Sequence, residues 1–442
     1  MMRRLFGCAL AALPLVGAAP APPAASPVPG ISAMKFPAAA STALGAGRLL
    51  VENDAGAQLA GAQIFVGAGL ARQSANSAGV AAVAAECVLR TPVDGVPLRE
   101  AVAAAGGSLQ YTVDARSTHF YLEGIADRMP ALAVLVARAF AAPDFSAATV
   151  AASRSLLAAR AADSDGNAIA TGIAMFRRSY YMGPAGLPAL GSRATLMNLA
   201  PSDVADFFRA NYRRGSATVS VVGNVVPAFA PAAEKIVAAL PDGAVSQAPI
   251  KTNPISAQTT RIVARRDIGA PTVVVGFAAA DPGSDDYGAM LILEALLSQA
   301  FEDPSTTTLG FRERSLGAFY LYDALPASMV FYVNGNRADP SIALRALLGV
   351  AQSLAKRPLA AAVLARYKAA AVGSFVNDTV TLSDRAYMLG VLSGAGFGSD
   401  PINAALAAVQ RASSADVERA AKRYLQRYIV ALVLPRQAPA GS

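Results

Sequence analysis

The sequence predicts an α+β chain of two homologous halves, each a mainly antiparallel sheet with helices packed on one face. Three observations point there. Segments of matching character recur in the same order at nearly one spacing: Gln63-Ile-Phe-Val-Gly67 with Pro271-Thr-Val-Val-Val-Gly-Phe277, and Pro201 to Tyr212 with Ser413 to Tyr424. Gly67 and Gly276 lie 209 residues apart, Val204 and Val417 213, and Tyr212 and Tyr424 212, the mark of a duplicated unit. Within each copy, apolar strand-like runs precede helical ones, a pattern of helices laid over a sheet. Finally, 442 residues of which 54% are hydrophobic and 15% charged supply ample core for two domains.

In chain order, Arg3-Arg4 precede an apolar run from Leu5 to Ala19 and the small, Pro-rich stretch Pro20 to Ala25. A basic start, a short apolar middle and small residues make residues 1–25 a secretory signal, implying a periplasmic or secreted protein. Pro14 interrupts the run, which is too short to span a bilayer. Residues 26–47, rich in Pro, Ala and Ser, read as a flexible lead-in. The first domain, 48–235, opens with strands at Arg48 to Asn53 and Gln63 to Gly67. Leu98 to Tyr111 reads as a helix stopped by Gly106-Gly107 and then a strand. Val113 to Glu123 alternates as one strand, Arg128 to Ala142 and Ala147 to Ala162 form small-residue helices, and Asp163 to Asn167 ends the second. Arg177 to Pro188 reads as an irregular loop, Ser202-Asp203 start a helix that reaches Tyr212, and Ala217 to Gly223 is a strand. A linker over 236–258 leads to the second domain, 259–436.

The charge is +8, falling to +6 once Arg3 and Arg4 leave with the signal. It is dispersed, with no dense Lys/Arg block interleaved with aromatics, so nucleic acid is excluded as a partner. No membrane association is expected beyond the signal. Loss of the signal also leaves Cys87 as the one cysteine, which allows no intramolecular disulfide and reads as a packing residue.

The chain is organised around Gly79-Val-Ala-Ala-Val-Ala-Ala-Glu-Cys-Val-Leu-Arg-Thr-Pro92. With Gly106-Gly-Ser-Leu109, Thr112 to Phe120, Leu199 to Tyr212 followed by Val221-Val-Gly-Asn224, and Phe311-Arg-Glu-Arg-Ser-Leu-Gly-Ala-Phe-Tyr320, it resembles the pitrilysin/insulinase-type zinc peptidases. The resemblance covers most of residues 48–435 and implies their duplicated α+β fold. It also locates what is missing. The two histidine positions of H-x-x-E-H hold Ala82 and Glu86, and the glutamate position holds Ala85. The helix Ala147 to Ala162, where the family carries its third ligand, has no Glu or Asp.

Hydrolytic zinc needs about three protein ligands and an open position. One histidine, His119, exists in the whole chain, on a strand, and reads as a packed residue. Glu86 reads as a surface charge or the partner of an arginine such as Arg116. No metal and no catalytic residue is therefore expected in this chain.

In active relatives an Arg and a Tyr of the second half reach across to the metal site. Arg312 matches the Arg; the Tyr position holds Phe319, with Tyr320 one residue later and so on the opposite strand face unless a bulge intervenes. The resemblance implies a non-catalytic subunit that, with a zinc-bearing partner of the same family, encloses a peptide chamber, zinc residing only in the partner. Arg312 and Tyr320 are its candidate substrate contacts in trans. A stand-alone periplasmic peptide-binding or scaffold protein is the alternative; an active zinc endopeptidase is disfavoured by the absent ligands.

Overall fold

The computed structural model describes residues 34–164, 166–246, 249–256, 260–299, 314–335 and 340–436. The first half contains β1 (Ala39–Leu44), β2 (Gly47–Asn53), β3 (Leu59–Val66), α1 (Val80–Arg90), the short pair β4 (Pro92–Val93) and β5 (Val96–Pro97), α2 (Leu98–Ala104), β6 (Gly107–Val113) and β7 (Thr118–Ile125). It continues with α3 (Met129–Ala141), α4 (Ala147–Ser164), α5 (Ala168–Tyr180), α6 (Arg193–Met197), α7 (Pro201–Asn211), β8 (Thr218–Gly223) and α8 (Phe229–Ala239). The second half contains β9 (Thr260–Arg266), β10 (Thr272–Ala278), α9 (Tyr287–Gln299), β11 (Arg314–Leu321), β12 (Ser328–Gly335) and α10 (Pro340–Leu354). It ends with α11 (Ala361–Asn377), α12 (Leu382–Gly394), α13 (Pro401–Arg411), α14 (Ser414–Tyr424) and β13 (Tyr428–Pro435). Among the described residues no helix is long and apolar enough to cross a membrane.

The two main sheets repeat one topology. The first runs β1-β2-β8-β3-β7-β6 and the second, taken from its far edge, β9-β13-β10-β12-β11. In each, one pair is parallel, β2 with β8 and β9 with β13, and the other pairs are antiparallel. The glycine correspondence is looser than the elements: Gly67 follows β3, whereas Gly276 lies within β10.

Each half's own helices cover one face of its sheet, and the other face receives a helix from the opposite half. Because strand side chains alternate, the division is visible residue by residue. In β3, Ala60, Ala62, Ile64 and Val66 enter the first core, while Gly61, Gln63 and Phe65 meet α12. A Cβ on Gly390 of α12 would lie 2.3 Å from the Phe65 ring. The mirror contact joins α5 to β10, where a Cβ on Gly276 would lie 2.1 Å from the Phe176 ring and one on Gly172 2.5 Å from Val274. Polar links follow: Gln63 donates to Ser383, Ser220 donates to the Ala386 carbonyl at 2.6 Å, and Arg177 grips Asp323 with two bonds of 2.7 Å.

Several sequence expectations need correction. The lead-in 26–47 holds β1, because Gly45, at φ +57°, turns the chain so that Ala39 to Leu44 pair with β2. Val113 to Glu123 is two strands, not one, since Asp114 N–H donates to the Ser117 carbonyl at 2.8 Å and closes a hairpin. The region 177–188 is helical up to Tyr180, with Asn167 capping α5 through Ala170 N–H at 3.0 Å. The helix expected from Ser202 begins at Pro201, and its Asp203 accepts from Ala200 N–H at 2.8 Å. Residues 1–25 lie outside the described residues.

In the second core, burial lifts the Glu294 carboxyl from its usual 4.5 to about 7, against the lowering effect of a hydrogen bond from Tyr320 N–H at 2.9 Å. Burial likewise lifts Glu52 to about 7, although Arg385 lies 3.0 Å away. A raised folded-state value means the native protein holds more protons than the unfolded chain between about 4.5 and 7. Stability is then expected to fall as pH rises through that window, by up to about 3 kcal/mol per group. Urea midpoints measured at pH 5.5 and 8 check this, and Glu294→Gln is expected to flatten part of the difference. An unchanged slope in that variant would contradict the assignment to Glu294.

Candidate functional site

The remnant of the motif lies on α1. Gly79 enters the helix at φ +98°, open to glycine, and its Cβ would meet the Leu190 carbonyl at 2.8 Å. From Val80 to Leu89 every residue is buried, since alanines let α4, α7 and the sheet approach closely. Ala82 and Ala85 present only methyl groups, both fully buried.

Glu86 is also fully buried, which corrects the surface reading, and its partner is not Arg116. Arg90, one turn on, donates from Nε to Oε1 at 3.0 Å, and Arg99 of α2 donates from Nη2 to Oε2 at 3.3 Å. The buried Tyr111 hydroxyl lies beside this carboxylate; burial first, then Glu86, push its pKa well above the usual value, while Arg160 and Arg99 oppose that. Cys87 is buried beside Ser153, and burial raises its thiol to about 11, so the thiolate is disfavoured.

These residues do not fit zinc. Two of three motif positions carry no donor atom, and both Glu86 oxygens are engaged by guanidiniums. Among the described residues no other group of His, Cys, Asp and Glu has a metal-holding arrangement.

His119 sits on the inter-half face of β7. Its Nδ1 lies 2.8 Å from Gln63 Oε1, its Nε2 3.3 Å from Asp114, and its ring packs on Phe65 and Tyr387. Tyr387 of α12 in turn donates to Asp114 at 3.0 Å. The histidine therefore fastens the first sheet to the exchanged helix. Tyr387→Phe is expected to cost about 1–2 kcal/mol by removing one hydrogen bond from the partly buried Asp114 carboxylate, read from the urea midpoint; a loss below ~0.3 kcal/mol would count against this role.

Of the two trans contacts, Arg312 lies outside the described residues. Tyr320 is placed against its expected role. It points into the second core, 5% exposed, and its hydroxyl donates to the Ala280 carbonyl. The β11–β12 ladder runs without a bulge from Arg314 to Leu321, so Phe319 takes the opposite face, 40% exposed and stacked on Tyr332. An apolar ring thus occupies the position that the resemblance assigns to the phenol.

Beside Glu86 the sheet ends at β6, whose outer edge has no neighbouring strand among the described residues. Gly107 to Tyr111 wall a pocket of about 460 Å³ that Arg99 and Arg160 complete. Arg90 is legible in the sequence as the i+4 partner of Glu86; Arg99, Arg160 and Tyr111 are not, because they converge from separate elements.

Residues 198–371 match the family model described as the peptidase M16 inactive domain. Over those residues the chain is similar to that domain. No curated protein matches the chain. Solved structures share its fold. A protease from Helicobacter pylori superposes with a TM-score of 0.79 at 16% identity, covering 91% of this chain and 100% of that one. A peptidase M16 inactive domain from Pseudomonas fluorescens gives 0.76 at 17%, with the same coverage. A chain of Complex III2 from Candida albicans gives 0.73 at 13%, covering 88% of this chain and 93% of that one. Ala82, Ala85 and Glu86 stand where the resemblance would place the zinc motif.

Proposed function

We propose that this chain is an exported, non-catalytic subunit that encloses a peptide chamber together with a zinc-bearing M16 partner. The observation that carries the reading is the contrast at one place in the fold. The motif helix has lost its ligands and locks Glu86 between two arginines, while the neighbouring β6 edge has no strand beside it among the described residues. An open edge takes an extended peptide by backbone pairing without needing a metal. Similarity to a chain of Complex III2, a multi-subunit assembly, is in keeping with a role inside a complex. Zinc and hydrolysis are assigned to the partner, and the site of action to the periplasm or exterior.

Purification from native extract tests this. The expected result is a near-equimolar partner bearing H-x-x-E-H, with zinc and peptide hydrolysis present in the complex and absent from this chain alone. A metal-free, partner-free protein that still binds peptides would instead establish the stand-alone binding role. That second reading draws on the same open edge. Stoichiometric zinc in the isolated chain would contradict both.

A further inference from the structure

The pocket beside β6 carries more charge than Glu86 can neutralise. Arg90 and Arg99 engage the Glu86 carboxylate, and Arg160 joins Arg99 and Glu86 near the Tyr111 hydroxyl, so among the described residues three guanidiniums there face one carboxylate. Arg160, on the exposed face of α4, forms no ion pair among the described residues, and Arg99 is 41% exposed beyond its contact with Glu86. Both cations border the wall formed by Gly107 to Tyr111.

Side chains of an added strand alternate between faces at every residue. The two faces of this edge differ in charge. On the helix side lie Arg99 and Arg160. On the inter-half side a second pocket, of about 280 Å³, shares Gln110 and Tyr111 but is completed by Asp114, Asp384 and His119. An acidic side chain is attracted on the first face and repelled on the second.

We infer that the Arg99–Arg160 pocket is a carboxylate subsite, selecting extended peptides with acidic side chains at alternate positions. The inference rests on the peptide-binding reading and adds its chemistry. A guanidinium presents paired donors that match a carboxylate, and the wall of β6 fixes where that carboxylate arrives. A cation-recognising face remains on the other side of the strand, so residues between the acidic ones are neutral or basic.

The test uses fluorescein-labelled repeating Glu-Thr, Gln-Thr and Lys-Thr peptides of about ten residues. Each repeat places all its variable side chains on one face, whichever register it takes. Anisotropy with the full chain is expected to give about tenfold tighter binding of the Glu-Thr peptide than of Gln-Thr, while Lys-Thr binds only in the register that turns its lysines toward Asp114 and Asp384. The preference should shrink from about 50 mM to about 500 mM salt.

Arg160→Gln is expected to remove most of the preference and Arg160→Lys to keep much of it. Arg209→Gln, an equal charge change on the exposed face of α7, should leave it intact. Equal binding of all three peptides would overturn the carboxylate subsite while leaving strand addition standing. Equal losses in the Arg160→Gln and Arg209→Gln variants would assign the preference to overall charge and overturn it too. Binding of none would remove the peptide reading, and this inference with it.

Discussion

Gly276→Val is expected to destabilise the protein by about 3 kcal/mol or more, the cost of overfilling a closed contact. Valine suits a strand better than glycine, so backbone preference alone would make this substitution favourable. The opposite sign is expected because of what faces residue 276. Its Cβ would lie 2.1 Å from a ring carbon of Phe176, which is fully buried and stacked on Tyr180 with ring centres 5.4 Å apart. Gly276 is on β10, the middle strand of its five-stranded sheet, so backbone movement would disturb two ladders. The ring cannot retreat without moving α5, which comes from the other half. Phe176→Ala alone should cost about 3–5 kcal/mol through the cavity it leaves. Combined with Gly276→Val the loss should be smaller than the sum, since valine occupies space the ring vacates. Urea unfolding of the two single variants and the double one reads this directly. A Gly276→Val protein within about 0.5 kcal/mol of the native one would show that the exchanged helix yields easily.

That contact also marks the limit of sequence reading. The strands β3 and β10 and the helices α7 and α14 are legible because their patterns are local: apolar runs, Asp203 and Asp416 at the third helical position, and repeated order. Strand alternation alone likewise puts Phe319 and Tyr320 on opposite faces of β11. Helix α5 is not legible. Its apolar face, with Gly172 and Phe176, is shaped to a sheet about a hundred residues away in sequence. Seen alone it is a small-residue stretch between a polar break and a tyrosine-rich loop. The hairpin at Asp114 is hidden for a related reason: Val113 to Glu123 alternates across its own turn. At the candidate site, three motif positions are readable and most of the cations around them are not, because α2 and α4 bring Arg99 and Arg160 there.

Removing both Arg90 and Arg99 is the second change expected to have a large effect. Glu86 is fully buried, and these two cations are the hydrogen-bonded partners of its carboxylate among the described residues. The Arg90→Ala, Arg99→Ala double variant would leave an uncompensated carboxylate inside α1's packing, at a cost of about 3–5 kcal/mol. Either single variant keeps one partner and should lose about 1–2 kcal/mol, so the pair is expected to be more than additive. Removing the carboxylate is a different matter. The arginine side chains are 34% and 41% exposed and can return to water, so Glu86→Gln alone should cost only about 1 kcal/mol. The asymmetry decides what Glu86 is for. A residue retained as a metal ligand has no need of two cations on its oxygens, whereas a buried charge replacing a ligand does. The sharpest comparison is Glu86→Gln on the double-arginine background, where a neutral amide should recover most of the lost stability. If it recovers none, the arginines support α1 through packing of their stems, and the ion network is incidental to the fold.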